Sequence, residues 1–337
     1  MEFLEVLFPV SGVKTYLFVP PLIAGAISFF TSMGGVSGAF LLLPFQMSIL
    51  NFTSPSVSST NFLFNVVAIP SGVYRYIKEG RMAWPLTIVI IAGTLPGVFL
   101  GYYVRVLYLP DPGTFKFFAG IVLLYIGGRL LYELRGKARP DASAIKSIDD
   151  KFRQRSARQK ESCGKQTPAG GKRTAVKGKI TPGLPADAVI RTVTFTFRKI
   201  EYEFWGTTFS FSTIAMFSLA LIVGVIGGTY GIGGGAIIAP SCVALFRLPV
   251  YTVAGAALMG TFLTSVAGVF FYTLMPAKGG LQTSPDWLLG CLFGAGGFVG
   301  MYFGARFQKY VPQKLIKLLL GLLMLLVALK YILQYVE

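Results

Sequence analysis

The chain has 337 residues, 53% of them hydrophobic and only 13% charged, with a mean hydropathy of +0.64. A soluble domain carries about 25% charged residues, so this composition excludes an ordinary water-soluble fold. The chain has no histidine, and its three cysteines (Cys163, Cys242, Cys291) show no metal or redox spacing, so a zinc site, a disulfide framework and a His-based triad are unsupported and no metal or cofactor is expected.

Residues 1–20 lack the basic start and apolar block of a cleaved signal peptide, so none is expected. Apolar runs then recur at 16–30, 57–77, 84–104, 114–131, 211–226, 252–274, 287–307 and 315–335. About 20 helical residues cross a bilayer core, so the chain reads as an all-α polytopic protein of the inner or plasma membrane. Between the first two runs lies Gly34-Gly35, then Ser37, Gly38 and a short apolar piece, 38–50. The segment "SVSSTNFLFN" (56–65) follows, with Ser58, Asn61 and Asn65 on one helical face. Arg75, Lys78 and Arg81 make the next turn basic. The run from residue 84 carries Gly93, Gly97 and Gly101, a four-spaced ridge that packs helices inside a protomer or across a homodimer.

From Arg135 to Lys199 there are seventeen Lys/Arg and five Asp/Glu, so this segment holds twelve of the seventeen net positive charges. It reads as a polar cytoplasmic linker under the positive-inside rule, and no nucleic-acid partner is expected. The alternating stretch 192–204 predicts a strand or hairpin. The glycine stretch Gly228–Pro240 comes next, with Thr229, Tyr230, Gly231, Gly233, Gly234 and Gly235, and then another short apolar piece, 236–246. Thr261, Thr264 and Ser265 continue the polar face in the following run, and Gly296, Gly300 and Gly304 form a second ridge.

The two sides of the linker repeat each other. A shift of 196 lays Gly35–Pro44 on Gly231–Pro240, Val57 on Val253, Gly72 on Gly268 and Tyr76 on Tyr272; after an insertion, Trp84 falls on Trp287 and the first ridge on the second. The chain divides into a first transmembrane repeat (1–134), a basic linker (135–208) and a second repeat (209–337). The basic turn shifts from the second connection in the first half (Arg75, Lys78, Arg81) to the third in the second (Arg306, Lys309, Lys314). The halves are therefore expected to be inverted, each with four spans and a glycine-broken short helix, about 5 + 5, with both termini outside.

A half-helix that begins at depth exposes its first amide N–H groups, and with the helix dipole these make an anion site. The expected substrate-binding residues are Gly34, Gly35, Ser37, Gly38, Asn61, Asn65, Thr229, Gly231, Gly233, Gly234, Gly235, Thr261 and Thr264. The competing reading is that the glycines allow close packing and the polar face joins helices. Arg75, Arg105, Arg129, Arg247 and Arg306 fall near span ends, as interface anchors or anion-steering groups. No Asp, Glu or His falls inside a predicted span, so no buried carboxylate is expected, and an enzyme is not. An anion leaving a negative-inside cell gains about 2.3 kcal/mol per charge per 100 mV, so export needs no coupling ion.

The motifs "GVSGAFLLLP" and "GIGGGAIIAP", with "VAGAALMGTFLTSVAGVFFY" and "AWPLTIVIIAGTLPGVFLGYYV", resemble the sulfite exporter family of TauE/SafE type over both halves. Ser37 and Ala39 stand where the family's glycine run is fuller. The resemblance implies a transporter of small sulfur-containing anions, sulfite or organosulfonates. The residues also admit an uptake permease or channel for another small anion, and a membrane scaffold that recruits a partner through the linker.

Overall fold

A computed structural model describes residues 5–33, 37–78, 82–134, 190–204, 207–275, 280–307 and 313–336. Most of the linker, the turn containing Arg81, and Gly34 and Gly35 lie outside these residues. The described chain is mostly helical. A short hairpin (β1, Glu5–Leu7; β2, Lys14–Tyr16) leads into α1 (Val19–Met33), α2 (Ala39–Ser48), α3 (Ser56–Ala68), α4 (Pro70–Lys78), α5 (Trp84–Tyr103) and α6 (Pro112–Leu134). A three-stranded sheet (β3, Ile190–Phe195; β4, Lys199–Phe204; β5, Thr207–Ser212) precedes α7 (Thr213–Tyr230), α8 (Gly235–Leu245), α9 (Val250–Leu274), α10 (Trp287–Phe307) and α11 (Gln313–Val336).

Six of these helices are long and apolar enough to cross a membrane, namely Trp84–Tyr108, Pro112–Tyr132, Thr213–Tyr230, Thr252–Leu274, Trp287–Gly304 and Leu315–Tyr335. Leu315, Leu319, Leu322, Leu326, Leu329 and Leu333 are exposed along α11, as a lipid-facing surface requires.

Three expected elements come out differently. The run 57–77 is not one helix: α3 stops at Ala68 and α4 starts at Pro70. Proline has no N–H and suits the first position of a helix, and the Ile69 amide still closes on the Asn65 carbonyl at 3.0 Å. The strand at 192–204 is part of a larger antiparallel sheet in the order β3-β4-β5, and β5 takes Phe211 and Ser212 from the start of the predicted span. Ser212 instead caps α7, its hydroxyl accepting from the Ala215 amide. Tyr16 likewise belongs to β2 and not to α1.

Both glycine ridges are spent inside the chain. Gly93 meets Phe217 and Ala220 of α7, Gly97 meets Leu221 and Gly224, and Gly101 meets Val225 and Gly228. A Cβ on Gly97 would fall 2.5 Å from the Leu221 carbonyl oxygen, so only glycine allows this approach. Gly296, Gly300 and Gly304 meet Pro21, Gly25 and Phe29 of α1 in the same manner. In both pairs the numbers rise together, so α5 runs parallel to α7 and α10 parallel to α1. The other large contacts run the opposite way. Gly120 meets Ala328 and Tyr331 while Gly127 meets Gly321 and Met324, so α6 and α11 are antiparallel. Phe62 of α3 packs on Tyr272 and Gly72 of α4 on Leu258, so the consecutive α3–α4 segment runs antiparallel to α9.

Candidate functional site

The second glycine stretch interrupts the helix where the composition indicates. Gly231, Gly233 and Gly234 have φ of 90°, 71° and 80°, a left-handed region that costs a residue with a Cβ about 1–2 kcal/mol. The Gly231 amide closes α7 on the Gly227 carbonyl at 2.8 Å, and Ile237 and Ile238 open α8 on the Gly234 carbonyl. Between these closures the amides of Gly233, Gly234, Gly235 and Ala236 donate to no acceptor among the described residues. In the first half α2 opens in the same way, with Leu41 and Leu42 donating to the Gly38 carbonyl.

The side chains around the breaks join them. Asn61 donates to the Ala39 carbonyl of α2 at 2.9 Å and to the Gly231 carbonyl at 3.1 Å. Asn65 donates to the Ile232 carbonyl at 3.2 Å and accepts from the Ser37 hydroxyl at 2.8 Å. Tyr230 donates to the Phe40 carbonyl at 2.9 Å. Pro44 lies inside α2 and cannot supply the amide that would pair with that carbonyl, so the Tyr230 hydroxyl replaces it. Two helix interruptions far apart in sequence thus form one buried polar cluster.

The expected site residues divide into three groups. Ser37, Gly38, Asn61, Asn65, Gly231, Gly233, Gly234, Gly235, Thr261 and Thr264 meet at this cluster. Thr229 is one turn back, its hydroxyl donating to Val225 and Gly101 carbonyls at 2.8 and 3.1 Å. Gly34 and Gly35 fall outside the described residues.

The chemistry of several differs from expectation. Both N–H groups of Asn61 are spent on backbone carbonyls. The Thr264 hydroxyl lies 2.8 Å from the Gly233 carbonyl and 2.7 Å from the Gly260 carbonyl, and Thr261 donates to the Ala257 carbonyl at 2.8 Å. Asn61, and Thr264 through Gly233, hold carbonyls freed by the break, the interhelical role, while Thr261 is spent on a carbonyl of its own helix; none of the three is a free donor. Gly231 is pressed against Ser58, Gly233 against Thr261 and Ser265, and Gly235 against Thr261, so close packing accounts for glycine at these three positions. Gly234 is the loosest, with Val223 Cγ1 at 3.2 Å from an added Cβ.

Two hydroxyls at the breaks keep their donors. Ser265 Oγ is buried without a partner, 2.7 Å from where a Cβ on Gly233 would lie. Ser28 Oγ is also buried without a partner, 3.0 Å from the corresponding point on Gly38. Each break therefore has one unspent hydroxyl beside it. Ser265 was legible as an extension of the Thr261–Thr264 face. Ser28 had no signal, because it lies in an apolar run of another helix.

Two further expectations need correction. A carboxylate is buried after all. Asp286 accepts from the Ser11 amide and hydroxyl at 3.1 and 2.8 Å and from the Leu289 amide at 3.2 Å, so it caps α10 and fastens the N-terminal hairpin to it. Arg105 is not an exposed anchor: its side chain is fully buried in a π-helical turn, Val104–Tyr108, that extends α5. Among the described residues no group of three or more His, Cys, Asp or Glu could hold a metal.

The sequence pattern of the family described as "Sulfite exporter TauE/SafE" matches residues 21–331. The chain is 23% identical over 318 residues to "Probable membrane transporter protein YunE" of Bacillus subtilis (strain 168), covering 92% of this chain and 94% of that one. It is 29% identical over 103 residues to "Probable membrane transporter protein YdhB" of the same organism, covering 31% of this chain and 38% of that one. No solved structure matches it.

Proposed function

Because the chain belongs to the sulfite exporter family of TauE/SafE type, we propose that it exports a small sulfur-containing anion, sulfite or an organosulfonate, by alternating access between inverted repeats. The observation that carries this reading is the pair of helix interruptions. The start of α8 offers unspent amides at Gly233–Ala236, with the Ser265 hydroxyl beside them. Amides at a helix start carry partial positive charge, and broken backbone at membrane depth is tolerated when it is buried in protein or lines a cavity. The array has no fixed cation of its own, so it suits an anion that must be released again.

The directions of the helices support inversion. Under the 196–203 shift α6 corresponds to α11 and the α3–α4 segment to α9, and each runs antiparallel to its counterpart. A parallel duplication would give the reverse. We take the first repeat as 1–134, the linker as 135–208 on the cytoplasmic side, and the second repeat as 209–337, in a cell membrane with both termini outside.

Counterflow in proteoliposomes with sulfite, sulfate, sulfoacetate and taurine tests the reading. At least one sulfur oxyanion should exchange, and Gly234→Leu, which forces a side chain into a left-handed position at the break, should abolish exchange. Transport of none of the four, or wild-type exchange by Gly234→Leu, would overturn it. Deleting 139–184 should leave exchange intact; its loss would favour a role for the linker.

A further inference from the structure

The fully buried guanidinium of Arg105 is the one cation among the described residues that the fold encloses without matching its charge. Its Nη1 donates to the Leu109 carbonyl, and its carbon lies 3.7 Å from the ring centre of Phe115. Nε and Nη2 are buried with no partner. The nearest carboxylate in its electrostatic surroundings is Asp111, but the two form no ion pair. Asp111 is instead spent on α6, accepting from the Thr114 amide at 2.8 Å and hydroxyl at 3.0 Å. Those two bonds hold the Asp111 carboxyl below the usual carboxylate range, so it stays ionised and engaged. Tyr272, the other polar neighbour of Arg105, donates its hydroxyl to the Gly228 carbonyl at 2.9 Å.

A charge inside a membrane-spanning segment is costly and marks a substrate path more often than a structural tie. Guanidinium is always protonated and presents paired N–H groups in a plane that fits an oxyanion edge. Its position suits that use. Gly101, one turn before Arg105, accepts from the Thr229 hydroxyl at 3.1 Å, and the π-helical turn packs on α7, which ends at the glycine break. The chain then folds back, so that the Gly234 amide lies beside Gly227 and level with Thr94; Arg105 is eleven residues further along α5, about 16 Å at 1.5 Å per residue, and forms a separate station on the same helix. A π-helical turn widens the backbone and often marks a functional position.

We propose that Arg105 forms a second anion site, where Nε and Nη2 take the oxygens of a small oxyanion passing to or from the α8 amides. The proposal rests on the transport reading above and adds the group that neutralises the substrate at the end of α5. It also explains why the fold leaves two guanidinium donors unspent: the mobile anion is their partner for part of the cycle.

The test uses the purified full-length protein. Its melting temperature is followed against sodium sulfite and sodium sulfate, with sodium chloride at matched ionic strength as reference. Binding to the folded state raises the melting temperature with concentration. The wild type should be stabilised by sulfite or sulfate above the chloride reference. Arg105→Met should melt no lower without anion, because an unmatched buried charge has been removed. It should need about tenfold to a hundredfold more oxyanion for the same rise, the worth of a charge-assisted pair. A lower anion-free melting temperature with unchanged oxyanion dependence would make Arg105 a packing residue and overturn the proposal. Should Arg105→Met fail to fold, Arg105→Lys, which keeps the charge and loses the planar fork, should fold and bind oxyanion more weakly; wild-type binding by it would overturn the proposal. A wild type that no oxyanion stabilises also overturns it, while counterflow in proteoliposomes decides separately whether the transport reading survives.

Discussion

Asn61 and Asn65 show how far one residue's chemistry can be inferred from its spacing. Their placement on a single helical face was legible, and so was their meeting with the glycine stretch. What they meet there was not: periodicity gives a direction but not the polar group at the end of it. A helix break frees carbonyls as well as amides, and the asparagines hold the carbonyls. Asn61→Ala should therefore leave the Ala39 and Gly231 carbonyls without that donor. Interhelical hydrogen bonds in membranes average about 0.6 kcal/mol and reach about 1.7, so the loss should be about 1–3 kcal/mol, read from thermal or denaturant unfolding in detergent. No loss of stability would mean the asparagine is not a strut. Arg105 misled for a related reason. Hydropathy puts it near the end of a run, where an arginine normally reaches the headgroups. The π-helical turn and the fold of residues 109–115 over its side chain have no pattern in the sequence.

At the scale of elements, punctuation was more legible than length. Glycines marked the break between α7 and α8, and the short helices α2 and α8 fall within one residue or two of the expected starts. Pro70 was equally visible but lies in an apolar run, which conceals a helix boundary when hydropathy alone is read. The sheet grew past its predicted edge because the alternation in Thr207–Ser212 merges into the apolar start of α7. The buried cap Asp286 makes its own prediction. Removing an N-cap side chain costs about 0.5–2 kcal/mol, and this one also ties Ser11 to α10. Asp286→Ala should lower unfolding stability by about 2 kcal/mol and make the 5–16 hairpin more sensitive to protease, with the substrate KM unchanged. A shifted KM with normal stability would move Asp286 from the scaffold to the transport path.

For the whole molecule, the proposed duplication rests on matched glycines and the proposed inversion on the placement of basic turns. The helix pairs agree with that reading, since equivalent helices cross antiparallel. This makes the two ends of the molecule distinguishable by experiment. Single cysteines placed at positions 78 and 282, in a variant lacking Cys163, Cys242 and Cys291, should label from opposite sides of a sealed membrane. Labelling of both from the same side would refute the inverted arrangement.

The central claim is that the unspent donors at the paired breaks hold the anion, and the concentration dependence of radiolabelled sulfite counterflow in Ser265→Ala tests it most directly. Ser265 has no partner to lose, so its removal should leave stability as it is. It should raise the sulfite KM by about tenfold, the worth of one hydrogen bond to a charged group. A stable Ser265→Ala protein with a wild-type KM would contradict the account.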